Sequence, residues 1–133
     1  MRLYLDSSAL VKLVKQEAES TALREFVRRH RTDGRATSTL SGVEVVRAVS
    51  GGGPDSIAHA RRQLARLDHI DLDRELVDDA ATLSPGTALR SLDAVHLAAA
   101  RSIGADLRAV ITYDRRMAEA AMGLGLVVEA PGA

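Results

Sequence analysis

The sequence of 133 residues has no cysteine and no tryptophan. Without thiols it can form neither disulfides nor thiolate metal sites, and a cysteine-free composition agrees with a cytoplasmic home. Tyr4, Phe26 and Tyr113 are the whole aromatic complement, so the core has to be built from Ala, Leu, Val and Ile, and a stacking platform for nucleobases is not expected. Long apolar runs are missing too. Met1-Arg2-Leu3 opens no signal-peptide-like stretch, and no segment approaches the length of a membrane helix. The formal net charge is zero, which argues against a generally adhesive nucleic-acid binder and leaves only local patches to do such work. Lysine occurs only at Lys12 and Lys15, and His30, His59, His69 and His96 are scattered without zinc-ligand spacing.

What is present reads as one globular domain over residues 1–133, with 46% apolar residues. Leu3–Leu5 is a short buried strand, followed by a helix over Ala9–Lys15 that Ser7 or Ser8 can cap. Ser20 can cap a second helix, in which Leu23, Phe26 and Val27 recur at helical spacing. "RTDGR" is a turn, "ATSTL" a strand, and Gly42–Val49 a third helix. "SGGGP" is a flexible break, Pro54 suits the first turn of the next helix, and Ile57–Leu67 forms that helix. "HIDL" is a strand, Glu75–Leu83 a helix, and "SPG" its stop. "RSLDAVHLAAARSIG" is the strongest helix, closed by Gly104. "LRAVITYD" is the clearest strand, Arg115–Ala121 a short helix and "LVVEA" a final strand. This alternation predicts an α/β fold with a parallel sheet covered by helices on both faces.

In such sheets ligands bind outside the carboxyl ends of the strands, and there the acids become interesting. Asp6 and Asp114 each follow a strand, Glu44 lies in the first turns of the third helix, and Asp93 opens the most apolar helix. Each has an ordinary explanation as a helix cap, a macrodipole partner or a solvated charge. Together they predict one cluster on one sheet edge. Clustered carboxylates repel and raise each other's pKa, so a cation is needed. Oxygen ligands without cysteine or paired histidine favour Mg²⁺, or Mn²⁺ as its substitute, over zinc. Such an ion suits hydrolysis of a phosphodiester: water attacks phosphorus in line, leaving a 5′-phosphate and a 3′-hydroxyl. Around the acids, Ser7, Ser8 and Thr112 are caps or supports, Arg90 is a partner for a carboxylate or a phosphate, and His96 reads as a core-packed histidine with one hydrogen bond.

"LYLDSSALVKL", "GVEVVRA", "LRSLDAVHLAAA" and "VITYDRRMAEAAMGLGL" together resemble the PIN-domain family, and within it the VapC toxins of prokaryotic toxin–antitoxin pairs. The resemblance runs from Met1 to about Val128. It implies a three-layer α/β/α sandwich with a parallel central sheet, and a metal-dependent endoribonuclease. It also implies a homodimer, and neutralisation by a VapB-like antitoxin whose C-terminal segment covers the active groove. Carried over, Asp6, Glu44, Asp93 and Asp114 hold Mg²⁺ or Mn²⁺, while Ser7 and Thr112 support them. "SGGGP" departs from the family by its glycine content.

Other acid-edged folds fit less well. A receiver domain wants adjacent acids after its first strand and a late lysine. A dehalogenase-type phosphatase wants Asp-x-Asp, where Ser8 stands here. A P-loop motif is absent. The remaining alternative is a non-catalytic PIN-fold module that binds RNA or a partner without cutting.

Overall fold

A computed structural model describes residues 1–84 and 87–133. Five strands form one sheet: β1 (Arg2–Leu5), β2 (Gly34–Ser38), β3 (Asp68–Ile70), β4 (Leu107–Ile111) and β5 (Val128–Glu129). Their order is β3-β2-β1-β4-β5, and every pairing is parallel. Strand β1 lies at the centre, with Tyr4 opposite Ala36 on one side and Val110 on the other. This explains its unbroken apolar run: a central parallel strand is covered on both faces.

Alternation along the strands divides the core. Leu3, Leu5, Ala109 and Ile111 point into a layer with Leu10, Leu13, Leu23, Val45 and Leu64. Those residues come from α1 (Ser7–Val14), α2 (Ser20–Arg29), α3 (Leu40–Val49) and α4 (Pro54–Leu64). Tyr4 and Val110 face the opposite way, onto Leu76, Ala94, Ala98 and Ala99. That layer contains α5 (Arg74–Ala81) and α6 (Ser91–Ser102). Beside them α7 (Arg115–Gly123) supplies Met117 and Ala121, which pack on Leu97. The small side chains of "AAA" at the centre of α6 let its backbone lie close to the sheet. The result is the expected three-layer α/β/α sandwich.

Several element boundaries differ from the sequence reading, each for a local reason. Helix α1 starts at Ser7 because Asp6, not Ser7 or Ser8, is its N-cap and accepts from the Ala9 amide. Helix α2 has no side-chain cap. The Ser20 hydroxyl instead accepts from the Glu17 amide and donates to the Lys15 carbonyl, closing the preceding turn. "SGGGP" is not a structureless break. Ser50–Gly52 form a 3-10 turn, Gly53 takes φ +85°, and Pro54 stands in the first turn of α4, as expected of it, while the helix ends at Leu64 rather than Leu67. Asp73 caps α5 through the Leu76 amide. Of the predicted "SPG" stop, Pro85 and Gly86 lie outside the described residues. Gly104 adopts φ +72°, and a short 3-10 turn carries the chain from α6 into β4.

The chain leaves β1 outward to β2 and β3, then crosses to the other face and returns through β4 and β5. Strands β1 and β4 are therefore neighbours whose following helices lie on opposite faces. This is the topological switch point, where a crevice opens beyond the carboxyl ends. Among the described residues no helix is long and apolar enough to cross a membrane.

Candidate active site

Asp6 leaves the end of β1 directly at that switch point and is almost fully buried, at 1% exposure. Its Oδ1 accepts from the Ser8 hydroxyl at 2.6 Å and the Ala9 amide at 3.0 Å, and its Oδ2 from the Thr112 hydroxyl at 2.5 Å. Burial pushes its pKa above the ordinary carboxylate range, while the Ser8, Thr112 and Ala9 donors pull the other way without cancelling it. No cationic side chain pairs with it among the described residues.

The two hydroxyls also tie the loops together. Ser8 Oγ accepts from the Tyr113 amide at 3.0 Å, and Thr112 Oγ1 from the Asp114 amide at 3.1 Å. Each hydroxyl thus spends its proton on Asp6 and its lone pair on the β4–α7 turn. That fixes the turn carrying Asp114 against the turn carrying Asp6.

Asp114 is the N-cap of α7. Its Oδ1 accepts from the Arg116 and Met117 amides at 2.9 and 3.2 Å. Its Oδ2 faces Arg90, whose Nη2 lies 3.2 Å away, while Arg90 Nε reaches Asp93 Oδ2 at 3.3 Å. One guanidinium therefore spans two of the predicted acids. Asp93 is buried despite its charge, in the first turn of α6, where the helix dipole favours an anion. The Arg90 side chain is 63% exposed, so it is held by these two acids rather than by packing.

Glu44 is positioned differently. Its Oε1 lies 2.6 Å from His96 Nε2, and His96 Nδ1 lies 2.6 Å from the Tyr4 hydroxyl. The imidazole is buried between them. A neutral ring satisfies both contacts: Nε2–H donates to the carboxylate and Nδ1 accepts from the phenol. Burial holds Tyr4 well above the usual phenol range, so it keeps the proton it donates.

The sequence expectation for His96, a core histidine with one hydrogen bond, therefore falls short. The ring joins the predicted acid on α3 to the centre of the sheet. The i, i+3 spacing from Asp93 to His96 is visible in the sequence, but no pattern announces Tyr4 as its partner. Ser8 takes the supporting place expected of Ser7, whose hydroxyl makes no side-chain hydrogen bond found among the described residues. Thr112 and Arg90 both touch acids, as their positions suggested.

Asp6, Asp93 and Asp114 are joined through Thr112 and Arg90, and Glu44 approaches from α3 through His96. The direct contacts are pairwise, and among the described residues no three carboxylate or imidazole groups lie close enough to hold a metal together. In chemistry the set nevertheless fits a hard divalent ion. Its donors are carboxylate oxygens with no thiolate, and Asp6 is a buried carboxylate bonded only to neutral donors.

Comparison with known proteins gives the chain's relatives. The PIN domain profile matches residues 3–122. Ribonuclease VapC46 of Mycobacterium tuberculosis is 47% identical over 130 residues, covering 97% of both chains. Ribonuclease VapC35 of the same species is 46% identical over 133 residues, covering 98% of this chain and 97% of the relative. Among solved structures, M. tuberculosis VapC20, described as a sarcin-ricin loop cleaving toxin, superposes with a TM-score of 0.75 at 16% identity, covering 97% and 99% of the two chains. A toxin–antitoxin complex from Klebsiella pneumoniae gives 0.72 at 18% identity, covering 97% of each chain. At these identities the superpositions speak for the fold.

Proposed function

The chain belongs to the PIN domain family, and on that premise we propose that it is a divalent-metal-dependent endoribonuclease toxin restrained by a cognate antitoxin. The observation that carries the reading is the continuous chain Asp6–Thr112–Asp114–Arg90–Asp93 across the β1/β4 switch point. The names of the ribonuclease relatives add RNA as the substrate class.

Asp6, Glu44, Asp93 and Asp114 would hold Mg²⁺ or Mn²⁺. When bound, such an ion supplies a Lewis acid for a phosphoryl oxygen and lowers the pKa of water at neutral pH. The protein's own share is preorganisation. Ser8, Thr112 and the Ala9 amide hold the Asp6 carboxylate in one rotamer, and the packed loops around it keep bulk water away. His96 fixes the Glu44 oxygen it touches. Arg90 offsets part of the charge of Asp93 and Asp114 in the free protein. It is exposed enough to leave them for a phosphate oxygen of the substrate, exchanging one charge-assisted bond for another.

The antitoxin in this reading covers the crevice, and the toxin acts as a homodimer. Val43 and Leu92, both exposed and each beside one of the acids, offer apolar rim for such a contact.

The test is cleavage of labelled RNA by purified protein in EDTA, Mg²⁺ and Mn²⁺, beside Asp93→Asn. Cleavage only with a divalent ion, lost in the variant and leaving 5′-phosphate and 3′-hydroxyl ends, is expected. Ends bearing 2′,3′-cyclic phosphate would mean that the RNA's own 2′-hydroxyl attacked. RNA binding without cleavage in any ion would leave a module that only occludes.

A further inference from the structure

The zero net charge conceals a segregation. On one side of the molecule Asp71, Asp73, Glu75 and Asp79 line a concavity in which Arg101 is the one cation among the described residues. In the other helical layer, Arg24, Arg28, Arg31, Arg35 and Arg66 line a pocket of ≈ 320 Å³ with no carboxylate in its wall. We propose that this arginine pocket binds backbone phosphates of structured RNA, at a site separate from the acids. The RNA identity of the ligand rests on the ribonuclease reading above.

Three elements build the pocket. Arg24, Arg28 and Arg31 recur at i, i+4 and i+7 along α2 and just past its end, on the face that also carries Val27. Arg35 enters near the start of β2, and Arg66 just beyond α4. Arg28 and Arg66 also complement the carboxyl ends of their helices, an ordinary role for basic residues. Arg24, in mid-helix, and Arg35, in a strand, have no such role.

Glu25, on α2, does not line the pocket, and two other acids near this edge are already engaged. Asp33 is held by Arg108 and the terminal ammonium, and Asp68 by Arg2. Among the described residues none of the five pocket arginines has a salt-bridge partner, and Arg24 donates only to Gln16. Like charges gathered without a counter-ion oppose folding. A cost with no return inside the fold points to an anion from outside.

Guanidinium groups match phosphate oxygens in planar pairs. The wall has no aromatic ring to stack a base, and its floor is aliphatic, from Leu13 and Val27. It is therefore suited to backbone rather than bases. A polyanion also needs this help: a neutral protein exerts no long-range pull, and the carboxylates at the β1/β4 switch point repel phosphate. The pocket lies at the amino edge of the sheet and the acids at its carboxyl edge. The five residues of β2 separate them by about 17 Å. A folded RNA stem can reach both.

The experiment measures binding of a fluorescent RNA stem-loop to the full chain in EDTA, across a salt series, for wild type, Arg31→Glu/Arg66→Glu and Arg31→Lys/Arg66→Lys. Each phosphate contact contributes about 0.9 to the slope of log affinity against log salt. The Glu variant should lose about 1.8 of that slope and bind at least about tenfold more weakly near physiological salt, while the Lys variant keeps most of both. Unchanged affinity and slope in the Glu variant would overturn the proposal. So would unchanged RNA binding with an altered sedimentation coefficient of the protein alone, which would assign the pocket to a second copy of the chain. Circular dichroism and thermal unfolding of the Glu variant that match wild type show that it is folded. If wild type cuts no RNA in any ion, the ribonuclease reading fails, while the salt series still decides whether the pocket holds phosphate.

Discussion

Asp6 and Glu44 approach the same crevice but are held by opposite means. Asp6 is sealed at the sheet centre by two hydroxyls and an amide, all neutral donors. Glu44 reaches in from a surface helix and is held by one imidazole, which is itself anchored on a buried phenol. The first arrangement keeps a charge in a poor solvent with its position fixed but its cost only partly offset. The second leaves the charge near water and controls only its direction. In the proposed function, buried position and steered position would be two ways of having a carboxylate ready for a cation. They fail differently when altered.

The largest expected effect lies on the Asp6 side. Asp6→Asn removes the buried charge and keeps an acceptor for the Ser8 hydroxyl and the Ala9 amide, while the oxygen that faces Thr112 becomes an NH2 donor. It should lower RNA cleavage about a thousandfold, the loss expected when a few kcal/mol of metal-dependent stabilisation go. Steady-state cleavage of a fluorogenic RNA measures this, and a loss below tenfold would remove Asp6 from the chemistry.

The Glu44 side should lose less. His96→Gln frees Glu44 to wander without changing any acid, and outer partners of this kind are worth about 10- to 100-fold in metal affinity. Calorimetric titration with Mn²⁺ reads it directly. If His96→Gln weakened Mn²⁺ binding as much as Glu44→Gln, the imidazole would be more than a tether.

Thr112→Val tests the seal. It leaves a buried carboxylate oxygen and the Asp114 amide without their shared hydroxyl. Denaturant unfolding should show a loss of about 1–3 kcal/mol, and Thr112→Ser should restore most of it.

The subtlest effect is on pH dependence. Because burial raises the pKa of Asp6 in the folded state, the folded chain binds that proton more readily than the unfolded chain. The stability it contributes is fully present below the ordinary carboxylate range and is lost as pH rises through the raised value. In EDTA, wild type should therefore lose stability relative to Asp6→Asn as pH rises from about 4 towards neutrality. A difference independent of pH would show that the hydroxyl clamp fully offsets the burial.

The order of elements was legible because it depends on local pattern. "LYL" and "AVI" read as buried strands, "LDAVHLAAA" as a helix covered nearly all round, and an acid after each central strand as a cap or a ligand. Boundaries were less legible where a cap decided them. A carboxylate at position 6 outcompetes the hydroxyls of Ser7 and Ser8 for the first free amides of α1, and nothing in the composition says so. The glycines after α3 suggested slack, yet the fixed φ of Pro54 and the positive φ at Gly53 organise them into a turn. Asp93 stood out because it is an acid among apolar neighbours. His96 did not, because a histidine there is just as readily a packing residue.

Residue types and their spacing thus settled the α/β class and the helical and strand periods, since each of these rests on interactions within a few positions of the chain. Only the folded molecule decided that β1 and β4 are neighbours, that Thr112 reaches back to Asp6 across 106 positions, that Tyr4 meets His96, and that five arginines from three elements face one pocket. Those contacts join segments far apart in sequence, and their partners are chosen by strand order and the register of packing, which no local pattern encodes.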